Sequence, residues 1–193
     1  MFGPHGSKKR TWVYSILFTV LYAVSAHLTS DIQIAGNSFR PAIALLAVSA
    51  AVFGPVTGFF VGFFGNMGAD LLEQKFWWNW CLGNGIIGLI SGLLYLVPEY
   101  RPHQGVINRL HYVIFVMLSV VGNYVGLTVA GLIDVEVYQV PFQQAIYEWA
   151  ITPATVNIIS SATMGIILLY LYQTYKRSQW PVDDSMEGLP PQE

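Results

Sequence analysis

Apolar runs of nearly bilayer-crossing length fill this chain almost from end to end, and that pattern leaves few folds open. A hydrocarbon core about 30 Å thick takes around 20 mostly apolar residues per helix. Six runs approach that length, at residues 11–28, 41–53, 55–72, 80–97, 110–133 and 146–175. Composition agrees: of 193 residues 54% are hydrophobic and 10% charged, against roughly 25% charged in a soluble domain. The expected fold is an all-α integral membrane protein, a compact bundle of about six transmembrane helices in one domain. A basic tail (1–10) precedes the membrane domain (11–175), and a second tail (176–193), rich in Pro, Gly and acidic residues, reads as disordered.

The second run is short for a span, and Gly54-Pro55 separates it from the third. Proline has no N–H to continue a helix and glycine permits the turn, so a tight helical hairpin is expected there. Alternating the sides of six spans puts Lys8, Lys9, Arg10, Arg101, Arg109, Lys176 and Arg177 on one face and only Arg40 and Lys75 on the other. Basic loop residues favour the cytoplasm, which places both termini inside the cell and Asp31, Asp134 and Glu136 in outer loops.

Several functions are disfavoured by what the chain carries. A net charge of -2 with no long basic cluster gives no nucleic-acid footprint. The single cysteine, Cys81, rules out an internal disulfide framework and a multi-cysteine zinc site. No metal centre and no cofactor are expected. No Gly-x-x-x-x-Gly-Lys-Ser/Thr loop is present, so ATP hydrolysis has no seat here.

Candidate binding residues gather toward the outer helix ends. Asn66, Asp70 and Glu73 share one face of the third run; ionisable groups inside a span are costly and usually face a cavity or a partner, which singles out Asp70. The stretch Phe76-Trp77-Trp78-Asn79-Trp80-Cys81-Leu82-Gly83-Asn84 is the densest aromatic segment. It reads either as an interfacial belt or as a ring-stacking pocket in which Trp77, Trp78, Trp80 and Asn84 contact ligand. Cys81 is either a small buried apolar residue or a ligand to a metal carried by the substrate. Glu148 and Thr152 on the last run share a face, and Asn157 is its most demanding buried polar group. On the first run Ser15, Thr19 and Ala23 recur every four residues. Such a small-residue stripe lets a helix approach closely, either a partner's or one of the chain's own.

The segment from Asn37 through Ser38, Phe39, Arg40 and Pro41 to Ala47, followed by Phe53-Gly54-Pro55-Val56-Thr57-Gly58, resembles an S component of an energy-coupling factor (ECF) transporter. The likeness continues through Gly62, Asp70, Trp78-Asn79-Trp80 and Gly85 to Gly88, and more loosely to Pro153, Asn157 and Gly165. It implies a membrane subunit that captures a vitamin or related micronutrient outside the cell. It also implies association with a transmembrane coupling protein and two ABC ATPases, which hydrolyse the ATP. The pocket implied lies under the outer loops, which brings in Asn37 and Arg40. The docking stripe implied is Ser15, Thr19 and Ala23, where the family more often has alanines. Cobalamin is a candidate cargo through cobalt and Cys81. Two other readings stay open: an intramembrane enzyme using Asp70, Glu148 or Cys81, and a helix-packing assembly protein with no small ligand.

Overall fold

The computed structural model describes residues 8–30, 32–34, 37–38 and 41–179. Arg40 and the segment 180–193 lie outside the described residues. Helix α1 (Lys8–Leu28) leads into a two-strand hairpin, β1 (Gln33–Ile34) paired antiparallel with β2 (Asn37–Ser38). Then come α2 (Ala42–Phe53), α3 (Pro55–Leu72), α4 (Trp78–Ser91), which runs on through a 3-10 turn to Leu96, and α5 (Arg109–Tyr138). The last rod is a π-helical run (Gln143–Ile151), α6 (Thr152–Ser160), a second π-helical turn (Ser161–Gly165) and α7 (Ile166–Gln179).

Three of these rods are long and apolar enough to cross a bilayer: Trp78–Leu96, Arg109–Tyr138 and Gln143–Gln179. The apolar part of α1 and the 12-residue α2 are shorter. At about 1.5 Å per residue α2 reaches only about 18 Å. Its environment explains why so short a helix suffices: ten of its twelve residues are buried, so protein rather than lipid surrounds it. The outward faces are greasy instead, as Trp12, Val13, Ile16, Leu17, Val20 and Val24 of α1 illustrate. Such faces suit hydrocarbon and would be a liability in water.

The expected α2–α3 hairpin is present. Gly54 takes φ 96°, a conformation that a side chain disfavours, its N–H closes α2 on the Ala50 carbonyl, and Pro55 opens α3. Beyond the turn α3 packs on α4 almost backbone to backbone. A Cβ on Gly58 would collide with the Gly88 carbonyl, and one on Gly88 with the Gly58 carbonyl. The pair brings two helices closer than larger side chains permit.

Several boundaries differ from the sequence expectation; α1, for one, starts at Lys8 rather than residue 11. Helix α4 starts at Trp78 rather than residue 80, because the Asp70 carboxylate accepts the Trp77 N–H (3.0 Å) and closes the chain back onto the end of α3. Helix α5 runs to Tyr138, so Asp134 and Glu136 are helical rather than loop residues. Asp134 is buried there and hydrogen-bonded to α4, which compensates for carrying a carboxylate past the apolar run. The last rod begins at Gln143 instead of residue 146 and extends to Gln179. At the opposite end of the bundle Gln173 donates to the Gly105 and Ile107 carbonyls, tying α7 to the α4–α5 loop.

Candidate functional site

Two buried polar clusters meet on opposite sides of α4. The first lies between α1, α3 and α4. Tyr22 donates to Asn84 Oδ1 (3.0 Å), Asn84 Nδ2 donates to Asn66 Oδ1 (3.2 Å) and to the Trp80 carbonyl (2.9 Å), and Asn66 Nδ2 reaches Asp70 Oδ1 (3.5 Å) and Cys81 Sγ (3.6 Å). Asn66, Asp70, Cys81 and Asn84, each a binding candidate by sequence, are brought together as a closed network whose members satisfy one another. Cys81 is fully buried, its thiol 3.9 Å from Asp70 Oδ2. A sulfur enclosed by Asn66 and Asp70 offers no approach for a cobalt centre, which removes the physical ground for cobalamin.

The second cluster lies between α4 and α5. Asn79 Nδ2 donates to Asp134 Oδ1 (2.7 Å) and to the Ala130 carbonyl (3.1 Å), while Trp80 Nε1 donates to Asp134 Oδ2 (2.9 Å). Asp134 thus holds two neighbours of the aromatic segment at once. The three tryptophans divide accordingly. Trp80 is half-buried and packs on the core around Tyr22, Ile43 and Leu46. Trp77 and Trp78 are exposed at the rim, where Trp78 Nε1 donates to Tyr138 Oη (2.9 Å) and Trp77 meets the Tyr138 ring edge-on. Rim indoles suit a membrane interface; the indole of Trp80 faces inward.

Further along the bundle, α5 and α6 each carry a buried amide. Asn123 and Asn157 are buried, and the Oδ1 atom of each lacks a hydrogen-bond partner. Asn123 Nδ2 donates to the Ser119 carbonyl (2.8 Å), which fixes its amide orientation. Buried amides are normally paired, so these two oxygens mark the α5–α6 side as different from the sealed network beyond α4. The hairpin strand β2, which carries Asn37, packs against α6 and so covers this region.

The remaining candidates fall outside this arrangement. Glu148 is exposed, with no hydrogen bond or ion pair among the described residues, and the Thr152 hydroxyl donates to the Tyr147 carbonyl (2.7 Å) within its own rod. Glu73 pairs with Lys75 at the C-terminal end of α3. The stripe Ser15, Thr19 and Ala23 turns toward α3. Ser15 and Ala23 are buried, Ser15 Oγ lies 3.5 Å from Thr57 Oγ1, and a Cβ on Gly68 would stand 3.0 Å from that of Ala23. In this structure the stripe is an internal seam, the second of the two uses its spacing allows. An apolar groove of about 300 Å³ lined by Tyr112, Val113, Val116, Met117 and Ile166 lies far from both clusters, toward the α4–α5 loop.

Sequence reasoning missed Asp134 as a site residue by assigning it to a loop, and passed over Asn123. Both carried a signal: each stands inside or one turn beyond an apolar run, where a polar side chain is costly.

Comparison with known proteins bears on what this arrangement serves. Residues 7–177 match the family described as ECF-type riboflavin transporter, S component. The chain is 32% identical to a UPF0397 protein of Vibrio atlanticus over 162 residues, covering 83% of this chain and 88% of that protein. It is similarly 31% identical to a UPF0397 protein of Lactobacillus johnsonii, covering 81% and 84%. A third relative, UPF0397 protein YdcD of Lactococcus lactis, is 32% identical over 78% of this chain and 82% of that one. No solved structure matches.

Proposed function

The chain belongs to the ECF-type riboflavin transporter S-component family, a vitamin-transporter membrane subunit, and from that premise we propose that it captures a flavin-type vitamin between α4, α5 and α6. The observations that support this reading are the inward-facing indole of Trp80, which donates to Asp134, and the unpaired buried amide oxygens of Asn123 and Asn157 further along the bundle. An indole supplies a flat apolar face for a heterocycle, and amide oxygens accept hydrogen bonds from its polar edges. Asn37, on the hairpin strand that packs against α6, belongs to the cover of the site. Riboflavin is the first cargo to test, because the matched family description names it.

Transport follows from a difference in affinity between two states. Capture requires tight binding while the site faces outward, and release requires that a partner stabilise a second arrangement in which it is weaker. That partner is a membrane coupling protein with two ATPases, since this chain has no phosphate-binding loop. The excess of basic residues at the ends formed by the tails and the loop 98–109 supports cytoplasmic termini. With the Ser15, Thr19 and Ala23 stripe facing α3, the coupling protein is assigned instead to the exposed apolar face of α1 around Ile16 and Val20.

The test is purification of the full chain in detergent from cells grown in rich medium, mass spectrometry of retained small molecules, and titration with riboflavin by tryptophan fluorescence. Stoichiometric flavin with saturable quenching is the expected result. A different vitamin retained in its place would keep the capture role and replace the cargo; no retained vitamin and no saturable binding would overturn both.

A further inference from the structure

The apolar groove far from both polar clusters owes its shape to the packing of the last rod. Helix α5 packs closely on α6 and on the π-helical turn Ser161–Gly165, then parts from α7, so a gap of about 300 Å³ opens where α7 begins at Ile166. Tyr112, Val116 and Ile166 form its floor on the core around Phe115 and Leu169, and Val113 and Met117 are exposed lips. The floor is fixed in place. Tyr112 Oη donates to Gln173 Oε1 (2.6 Å), and Gln173 Nε2 donates to the Gly105 (3.2 Å) and Ile107 (2.7 Å) carbonyls, which closes the gap at the α4–α5 loop. The one hydroxyl of the lining is thereby satisfied, and the groove presents only carbon and the Met117 sulfur.

Two arginines stand over the closed end. Arg109 opens α5 and shares a face with Tyr112, Val113 and Val116, three, four and seven residues on. Arg177 shares a face of α7 with Ile166 and Gln173, eleven and four residues before it. Its Nε donates to the Gly105 carbonyl (3.1 Å), which leaves its terminal N–H groups for another acceptor. Both arginines are exposed, and neither has an ion-pair partner among the described residues. Lys176, by contrast, is folded over the Tyr172 and Tyr175 rings. Glu99 is the one carboxylate between residues 97 and 109, and the N-terminal end of a 30-residue helix adds partial positive charge at Arg109.

The occupant must be apolar where it meets the groove and anionic where it meets the arginines. An aqueous anion satisfies only the second condition, and a hydrocarbon only the first. A helix is about 10–12 Å across and would ride over a gap of this volume, whereas a single acyl chain lies within it. The lips face outward from the bundle, so a lipid enters sideways without crossing water. Along α5 Arg109 stands about 4–11 Å from the groove residues on its face, comparable with the head-group layer of about 5–8 Å that flanks a hydrocarbon core. Basic pockets between transmembrane helices are recurrent seats for anionic head groups.

We propose that the α5–α7 groove seats one anionic phospholipid from the leaflet on the side of the α4–α5 loop. An acyl chain lies over Tyr112, Val116 and Ile166, and the phosphate pairs with Arg109 and Arg177. The proposal is independent of the cargo reading, because the groove shares no residue with the clusters around α4.

The test is native mass spectrometry of the full-length chain in detergent, titrated with phosphatidylglycerol and with phosphatidylcholine of the same acyl chains. The wild type is expected to hold one phosphatidylglycerol about tenfold more tightly than phosphatidylcholine, the weight of one charge-assisted pair. Arg109→Ala is expected to remove that preference. Arg101→Ala deletes an equal charge from the same rim but off the groove-lining faces, and is expected to change it less than about twofold. Val113→Trp and Met117→Trp fill the groove from exposed lips and are expected to abolish the one-lipid species; two positions are used so that either can stand in if the other elutes as aggregate. Equal retention of the two lipids, equal effects of the two arginine substitutions, full retention by a monodisperse tryptophan variant, or release of the lipid by inorganic phosphate overturns the proposal. Cargo capture is read separately, by the riboflavin titration, and stands or falls without it.

Discussion

The two sides of α4 handle buried polarity in opposite ways. Toward α1 and α3, Tyr22, Asn66, Asp70, Cys81 and Asn84 close on one another and on the Trp77 N–H. On α5 and the last rod, Ser119, Asn123, Asn157, Ser160 and Ser161 carry oxygens without partners. A satisfied buried network adds rigidity and specificity to a fold, whereas unpaired buried groups cost stability and are retained where something else requires them. On the proposed function the difference reads as scaffold on one side and cargo on the other, whereas sequence alone names both Asp70 and Asn157 as binding candidates.

The largest effect expected from breaking this comparison is on the scaffold side. Gly88→Leu drives a side chain into the Gly58 carbonyl, where backbone rather than a flexible side chain must give way. Destabilisation of more than about 4 kcal/mol is expected, read as loss of the monodisperse peak in detergent size-exclusion chromatography. A well-folded Gly88→Leu protein would mean that α3 and α4 can separate, and the rigid half of the comparison would fall.

Next in size is Asp70→Ala. It strips the Trp77 N–H of its acceptor and Asn66 of a partner, and leaving buried donors unpaired costs about 1–3 kcal/mol, more where the lost partner is charged. A lower melting temperature with riboflavin affinity nearly unchanged is expected. Asn123→Ala shifts the balance: affinity falls about tenfold through one lost acceptor in the site, while loss of its bond to the Ser119 carbonyl lowers the melting temperature modestly. If both variants lost affinity and stability in the same proportion, the two sides of α4 would not be separable.

Much of this was legible in the sequence. Gly54-Pro55 announced the α2–α3 turn, because the two residues have backbone requirements that few other structures meet. Helical spacing put Asn66 and Asp70 on one face of the third run, and the packing of α4 on α3 adds Cys81 and Asn84 to them. What the spacing could not convey was whether that cluster is closed, since satisfaction depends on Tyr22 arriving from 44 residues before Asn66. Asp134 was misread as a loop residue because hydropathy ends the fifth run at 133, while the helix continues on the strength of two hydrogen bonds from α4. The unpaired hydroxyls of Ser119, Ser160 and Ser161 were hidden for the same reason: a helical serine that bonds to its own backbone and one that does not are the same letter.

Cys81→Ala is the smallest change expected and the sharpest on cargo identity. The thiol contacts Asn66 and Asp70 from within α4, at 3.6 Å and 3.9 Å, distances at which a sulfur makes weak hydrogen bonds. Removing it deletes one buried atom, worth about 1 kcal/mol of stability, and touches nothing on the α5 side. Titration of the variant should therefore return the wild-type affinity for riboflavin, with the melting temperature a few degrees lower. A marked loss of affinity would show that the pocket extends through α4 into the closed network, and would return the thiol to the set of groups that meet the cargo.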